Sequence, residues 1–449
     1  MRTIETSLAK RSLGAALREQ WRADYVYAYP PRQAYYPVTE DVARTARATS
    51  LADARTMNLY VHVPFCRQIC AYCNLFAVAG RNDDDHASYV DLVMSEFRSL
   101  DLAKTGNLDT LYIGGGTPSL MDPALIGRLV EGSAAAVGAD PGVVREVALE
   151  VAPDTVDEAK LASFRAAGIN RINLGVQSWD NGEIHGIGRS HGHDVHHETL
   201  TAAMATGFDN VCVDLIYGLP GQSMESWTSS LHTVISYDPD TICCYALTLR
   251  PNTGFAARGH SDVGGNAQYA KYDIACSTLA EAGYEQETHV RWIRPGRGGY
   301  VQKANHWAGQ NVLGVGAGAR SYLRSADLRN GYSTRSRRKV LRDWAEAVRS
   351  GRSPVVDGYL MDHDERARKA IILGLGNVNR GRFRDTFGDD PLARFDEEMG
   401  ALAKHGLIEI TPERIALTNL GHRHRDVAVQ LFFSDAVTQR LSEFDYATE

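Results

Sequence analysis

The regular alternation of short apolar runs with amphipathic stretches between residue 58 and about residue 285 constrains this chain more than any other feature. The runs are NLYVHVPF, LDTLYIGG, EVALEVA, RINLGVQS, NVCVDLIYG and TICCYALTL. The segments between them, such as HASYVDLVMSEFRSL and PDTVDEAKLASFRAAG, carry apolar residues at helical spacing. Strands of this kind, separated by helices, specify a parallel sheet built from βα units. Six units are visible rather than eight. The expectation is an α/β fold, an open partial (β/α)6 barrel, with its chemistry at the C-terminal ends of the strands.

A chain of 449 residues can bury one large core and a smaller accessory unit. Four segments are expected: a tyrosine-rich N-terminal arm over 1–57, the barrel over 58–290, a barrel-completing and pocket-lining segment over 291–360, and a C-terminal accessory domain over 361–449. The arm contains YVYAYPPRQAYYP and either packs on the barrel or helps close the substrate pocket. Glycine and alanine crowd the third segment, which suggests tight turns and close backbone approach. In the fourth, HDERARKAIILGLG reads as helix and GLIEITPERIALT as a hairpin, a small α+β, winged-helix-like unit. The basic run of Arg335, Arg337, Arg338 and Lys339 reads as a solvated helix face or as a grip on an anionic substrate.

Hydrophobic residues at 44% and charged residues at 23% are ordinary for a soluble enzyme. A net charge of −7 gives no reason to expect nucleic-acid or membrane-surface binding. No apolar run approaches the length of a membrane span. The start, MRTIETSLAKRSLGAALREQW, reads as an amphipathic helix and not as a signal peptide. Seven cysteines in no even framework argue against disulfides and for a reducing, cytoplasmic setting. Cys212, Cys243, Cys244 and Cys276 lie in apolar contexts and read as packing residues.

Cys66, Cys70 and Cys73 stand apart as Cys-x3-Cys-x2-Cys in VHVPFCRQICAYCNLF. Three thiolates can hold three irons of a cubic [4Fe-4S] cluster and leave the fourth iron open to a small molecule. Iron–sulfur clusters are normally held by four cysteines, so the missing fourth is informative. Zinc, with His62 or His86 completing Cys3His, is the competing reading; the paired-knuckle spacing of zinc sites is absent.

The triplet in this setting resembles the radical S-adenosylmethionine (SAM) superfamily. LYVHVPFC, YIGGGTPS, LEVAPD, NLGVQSWD, GRSH, VDLIYGLPG and YALTLRPNT follow in the order seen in the oxygen-independent coproporphyrinogen III dehydrogenase branch. The resemblance spans roughly residues 20 to 435. It implies that Cys66, Cys70 and Cys73 bind the cluster and that SAM chelates its open iron. It also implies that Tyr72 contacts adenine and that the Gly114–Pro118 turn, with Gly115, Gly116 and Thr117, binds the methionine amine. Glu150 then meets the ribose, and Gln177 and Arg189 contact the same SAM. Tyr60, Asp214 and Ala246 match positions lining a second SAM site, and an external flavodoxin- or ferredoxin-type donor supplies electrons.

Within the branch, the dehydrogenase carries a fourth Cys where this chain has Leu75. Heme-chaperone members begin close to the cysteine strand and commonly read HN-x-x-YW, where this chain has Ala304-Asn305-His306-Trp307. The long arm resembles that of class C radical SAM methyltransferases. That likeness implies an enzyme that uses two SAM molecules to methylate or cyclopropanate an unactivated sp2 carbon. The acceptor would be a small-molecule or peptide-derived aromatic or heteroaromatic natural-product intermediate. Glu287, His289 and Tyr300 are candidates for its base. The alternatives are a coproporphyrinogen III dehydrogenase and a heme chaperone, the latter with His191, His193, His196 and His197 as conceivable ligands if they are not simply solvent-facing.

Overall fold

A computed structural model describes residues 12–52, 54, 56–80, 82–100, 102, 107–260 and 264–445. The six apolar runs form strands β1 (Met57–Val63), β2 (Leu108–Gly115), β3 (Glu146–Val151), β4 (Arg171–Gln177), β5 (Asn210–Tyr217) and β6 (Thr241–Ala246). They pair in chain order and in parallel. Both faces are covered, which is why the runs are nearly continuous in apolar residues rather than alternating. Between them lie α1 (Asp83–Ser99), α2 (Pro123–Val137), α3 (Glu158–Ala166), α4 (His193–Ala205) and α5 (Met224–Ser236).

Local chemistry sets the helix ends. Asn82 and Asp85 cap α1 reciprocally, and Ser223 and Ser226 do the same for α5. The α2 helix stops at Gly138, whose φ of 72° is left-handed and suits glycine.

A seventh parallel strand, β7 (Val312–Val315), pairs with the far side of β1. Antiparallel strands continue outward from it through Arg320–Tyr322, Ala326–Asn330 and Val355–Leu360 to Tyr36–Pro37. On the other flank, Arg291–Ile293 runs antiparallel to β6 and is followed by Glu285–Thr288. Among the described residues no pairing joins the two outer strands, so the sheet stays open as expected. The antiparallel flanks were not legible in the sequence.

The main core fills the space between sheet and helices, with Leu59, Ile113, Leu149, Ile172, Val213 and Trp227 among its members. A second core joins the arm to the C-terminal region. Leu13, Ala16, Val26 and Tyr29 of the arm pack with Ile371, Ile372, Phe395, Leu402 and Phe432. Full burial of a large apolar side chain stabilises by about 1.5–3 kcal/mol, so the arm is fastened to the C-terminal region. The expected hairpin is present as Ile408–Ile410 and Arg414–Leu417, extended by Asn377–Asn379 into a three-stranded antiparallel sheet. The amphipathic N-terminal helix begins at Leu13, capped by Ser12; residues 1–11 of that expectation lie outside the described residues. Among the described residues no helix is long and apolar enough to cross a membrane.

Candidate functional site

The residues expected to hold the cluster and SAM all line one cavity of about 750 Å3 at the C-terminal ends of the strands. Cys66, Cys70, Cys73, Tyr72, Gly115, Gly116, Thr117, Glu150, Gln177 and Arg189 occupy one side, and Tyr60, Asp214 and Ala246 lie along the same lining.

The cysteine loop leaves β1 and is tied down by main-chain bonds. The Ala71 amide donates to the Ile187 carbonyl at 2.8 Å, and the Phe255 amide donates to the Ala71 carbonyl at 2.8 Å. The Tyr332 hydroxyl caps the Asn74 carbonyl. Burial pushes the Cys66 thiol up to about 11 and the Cys73 thiol up to about 12. Thiols in this state need a cationic partner to become thiolates. The three sulfurs do not converge on one point; the only three-donor group drawn within 4.8 Å among the described residues lies elsewhere. Such spread suits cysteines that bind separate irons of a cluster, and the residues present therefore fit one. The zinc alternative fits poorly. Both ring nitrogens of His62 are taken, by the Tyr60 hydroxyl and the Phe76 carbonyl at 2.8 Å each, and burial lowers its pKa to about 4. His86 packs on Phe65 outside the cavity.

The glycine turn after β2 is a clamp. A Cβ at Gly116 would lie 2.6 Å from the Phe65 carbonyl oxygen, and one at Gly115, whose φ is 118°, would lie 2.5 Å from the His62 ring. Only glycine allows this approach. The Gly116 and Thr117 amides donate to Val63 and Phe65 carbonyls at 2.7 Å, and the Thr117 hydroxyl donates to Cys66 Sγ at 3.4 Å. The Gly115 amide donates to Glu150 at 2.7 Å, and the Tyr112 hydroxyl donates to its other oxygen at 2.8 Å. With these amides committed, the segment's ligand contacts fall to its carbonyls, which accept from an ammonium group. Burial raises the Glu150 pKa, against these two donors.

On β4 the pairing register slips between Gly175 and Gln177, and Gln177 adopts a left-handed φ of 72°. Bulges of this kind re-aim side chains next to active sites. The guanidinium of Arg189 donates to the Gly175 and Val176 carbonyls, which holds the side chain at the cavity wall. The sequence marked Gln177 and Arg189 but not the bulge that brings them together. Tyr60, Tyr112 and Tyr300 stack in series, with centroids 6.0 and 5.4 Å apart.

Much of the remaining lining is cationic and aromatic, and sequence reasoning missed it. Arg32, Arg250, Arg291, Lys303, Arg320 and Arg329 line it together with Tyr25, Tyr27, Tyr245, Tyr322 and Trp307. Arg320 donates to Tyr27 at 2.6 Å and to Tyr35 at 2.7 Å. Lys303 lies 5.1 Å from the Trp307 ring and has no carboxylate partner among the described residues. Burial, then Arg291, Arg425 and Arg320, lowers its pKa to about 7. His306 stacks on Tyr322 at 4.5 Å, and its Nε2 has no hydrogen-bond partner among the described residues. Burial and nearby cations hold its pKa well below the usual histidine range. The residues Asn305-His306-Trp307 in sequence were the available signal.

The histidine cluster is less solvent-facing than expected. His196 is buried and lies 3.1 Å from His191, which lines the cavity, because the inner face of α4 packs against the barrel. Of the base candidates, Tyr300 lines the cavity, Glu287 pairs with Arg291, and His289 lies 3.3 Å from Asp426.

A sequence profile of the radical SAM superfamily matches residues 60–234. The heme chaperone HemW of Bacillus subtilis (strain 168) is 27% identical over 373 residues, covering 81% of this chain and 95% of that protein. HemW of Escherichia coli (strain K12) is 30% identical over 284 residues, covering 63% of this chain and 74% of that protein. HemW of Synechocystis sp. (strain ATCC 27184 / PCC 6803 / Kazusa) is 32% identical over 332 residues, covering 70% and 77%. Among solved structures, the radical SAM coproporphyrinogen III oxidase (HemN) of Escherichia coli superposes with a TM-score of 0.78 at 22% identity, over 91% of this chain and 96% of that one.

These matches overturn the methyltransferase expectation. The relatives are heme chaperones, not class C methyltransferases acting on a heteroaromatic natural-product acceptor. The physical reason lies in the arm. Its tyrosines serve packing and arginine contacts, with Tyr29 bonded to Glu365 and Tyr27 and Tyr35 to Arg320, so a tyrosine-rich pattern does not specify a methyl acceptor. A superfamily profile over the barrel, a relative at 32% identity and a fold shared over nine-tenths of the chain place this protein in the radical SAM superfamily, in its HemW/HemN-like branch.

Proposed function

We propose that this protein binds heme in the cavity and hands it on, as a chaperone of the kind its relatives are named for. The observation that carries the reading is the cationic, aromatic wall around Lys303, Arg320 and His306. A tetrapyrrole offers a flat aromatic face, two carboxylates and an iron. Tyrosine and tryptophan rings suit the face, and arginine and lysine suit the carboxylates. His306, neutral and with Nε2 unengaged, is in the form that binds iron. Leu75, where the dehydrogenase pattern has a fourth cysteine, lines the cavity with 49% of its surface exposed. The reading also keeps the protein in the cytoplasm.

In the same cavity we assign Cys66, Cys70 and Cys73 to a [4Fe-4S] cluster. Tyr72, Gly115, Gly116, Thr117, Glu150, Gln177 and Arg189 hold one SAM at its open iron. When bound, that pair supplies one-electron chemistry, with electrons from an external donor. The protein's own part is positional: Glu150, fixed by Gly115 and Tyr112, accepts from ribose hydroxyls, and Arg189 holds a carboxylate. The resemblance also matched Tyr60, Asp214 and Ala246 to a second SAM site; in this reading we give the part of the cavity at Tyr60 and Ala246 to the tetrapyrrole instead. The segments 1–57 and 361–449 act in this scheme as a joint roof over the barrel of 58–290 and the flanking 291–360.

Anaerobic titration of heme into the cluster-loaded protein tests the reading. One heme per chain, with a Soret band that shifts in His306→Ala and transfer to an apo-hemoprotein, is expected. Heme association no tighter than to an unrelated protein, or carbon dioxide release from coproporphyrinogen, would sink it.

A further inference from the structure

Cys212 and Cys243 were expected to be packing residues, yet the sheet register brings them together. Cys212 faces Thr241 and Asp214 faces Cys243 across β5 and β6. Residues two apart on a strand share a face, so both thiols and the carboxylate point the same way. Their sulfurs are 3.7 Å apart, and Cys212 Sγ lies 3.9 Å from Asp214 Oδ1. All three donor atoms fall within 4.8 Å of one another.

Two thiolates on one tetrahedral zinc-type ion, each at about 2.3 Å, lie about 3.8 Å apart. That matches the observed separation. A disulfide would need the sulfurs at about 2.05 Å, and the two residues stand two rungs out of register. The pair, hydrogen-bonded thiol to thiol, thus already stands at the spacing a bridging ion requires. Asp214 and Cys243 line the cavity while Cys212 lies behind them, fully buried. Asp214 has no cationic partner within ion-pair distance among the described residues. Burial and then Cys243 raise its pKa well above the carboxylate range. Cys243 moves the other way: a hydrogen bond with Cys212, helped by Arg291 and Arg171, lowers it to about 6 against burial. The two guanidiniums also repel a cation, which sets the affinity below that of an all-cysteine site.

We propose that Cys212, Asp214 and Cys243 hold a divalent cation of the zinc type on the cavity wall, with its fourth position open to the cavity. Two thiolates and a carboxylate favour zinc over magnesium or calcium, and three protein ligands with one free position is the pattern of an open site. The site is separate from the cluster cysteines and does not depend on heme binding.

The test uses cluster-loaded protein, with iron content verified, equilibrated with Zn2+ and then dialysed. Metal analysis is expected to find one zinc per chain beyond the iron, and zinc K-edge absorption two sulfur neighbours at about 2.3 Å. Cys212→Ser and Cys243→Ser are each expected to weaken zinc retention by about tenfold or more, with iron unchanged, and the isosteric Asp214→Asn to weaken it as well. No zinc beyond the cluster, a single sulfur neighbour, or retention unchanged in the double Cys→Ser variant would overturn the assignment. Heme titration of the same samples separates this result from the chaperone reading.

Discussion

Around Cys66, Cys70 and Cys73 the main chain does the positioning, whereas around Lys303 and Arg320 side chains from distant stretches do it. In the first region the Gly115, Gly116 and Thr117 amides, the bulge at Gln177 and the carbonyls under Arg189 fix each group by short bonds. In the second, Arg320 is held by tyrosines of the arm, and Lys303 rests against aromatic rings without an ion pair among the described residues. The difference teaches what each half can tolerate. A backbone-built site fails when its geometry is disturbed. A side-chain-built site loses affinity contact by contact.

The largest expected effect is on the cysteine side. Cys66→Ala, Cys70→Ala or Cys73→Ala is expected to reduce bound iron from about four per chain to near none, measured after anaerobic reconstitution. Retained iron in any of them would break the assignment of three ligands. Next, Gly115→Ala combines a left-handed φ with a Cβ 2.5 Å from His62, so a loss of about 2–4 kcal/mol is expected in urea unfolding. Gly309→Ala, left-handed at 82° but with open space around it, is expected to cost only about 1 kcal/mol.

Lys303→Met and Arg189→Met sharpen the contrast between the halves. The first is expected to weaken heme binding about ten- to a hundredfold and leave SAM binding alone; the second is expected to do the reverse. Equal effects of either variant on both ligands would dissolve the division. Protonation should give a smaller, graded effect. Lys303 is lowered to about 7 by burial, so it is charged below that pH and neutral above it. Heme affinity is therefore expected to decline as pH rises through 7 toward 9, and to do so less in Lys303→Met. The effect at the roof is also small: Tyr29→Phe removes a 2.6 Å bond to Glu365 and should cost about 1–2 kcal/mol with iron content intact.

The strands were legible because burial on both faces leaves a nearly continuous apolar run, which survives without knowing the register. The cysteine side was legible because its residues are contiguous or sit at strand ends. The cationic wall was not, since Arg32, Arg250, Lys303 and Arg320 are brought together only by the fold. Nor was the approach of Cys212 to Cys243, which depends on how β5 and β6 are aligned. The functional assignment went astray at the arm, where tyrosines that serve Arg320 and Glu365 in this fold resemble those of a different enzyme class.

The arm's attachment has a consequence for biosynthesis. The Val26 amide donates to Asp426 at 3.0 Å, Arg425 reaches back to the Val26 carbonyl, and Gln430 and Phe433 line the same cavity as Tyr25 and Tyr27. The first part of the site to be synthesised must therefore wait for the last. Strands β1 to β6 can form before residues 425–433 are made, but until then the arm has no partner there. A chain stopped short of Arg425 would thus keep the six parallel strands yet leave the Val26 amide and carbonyl without these partners.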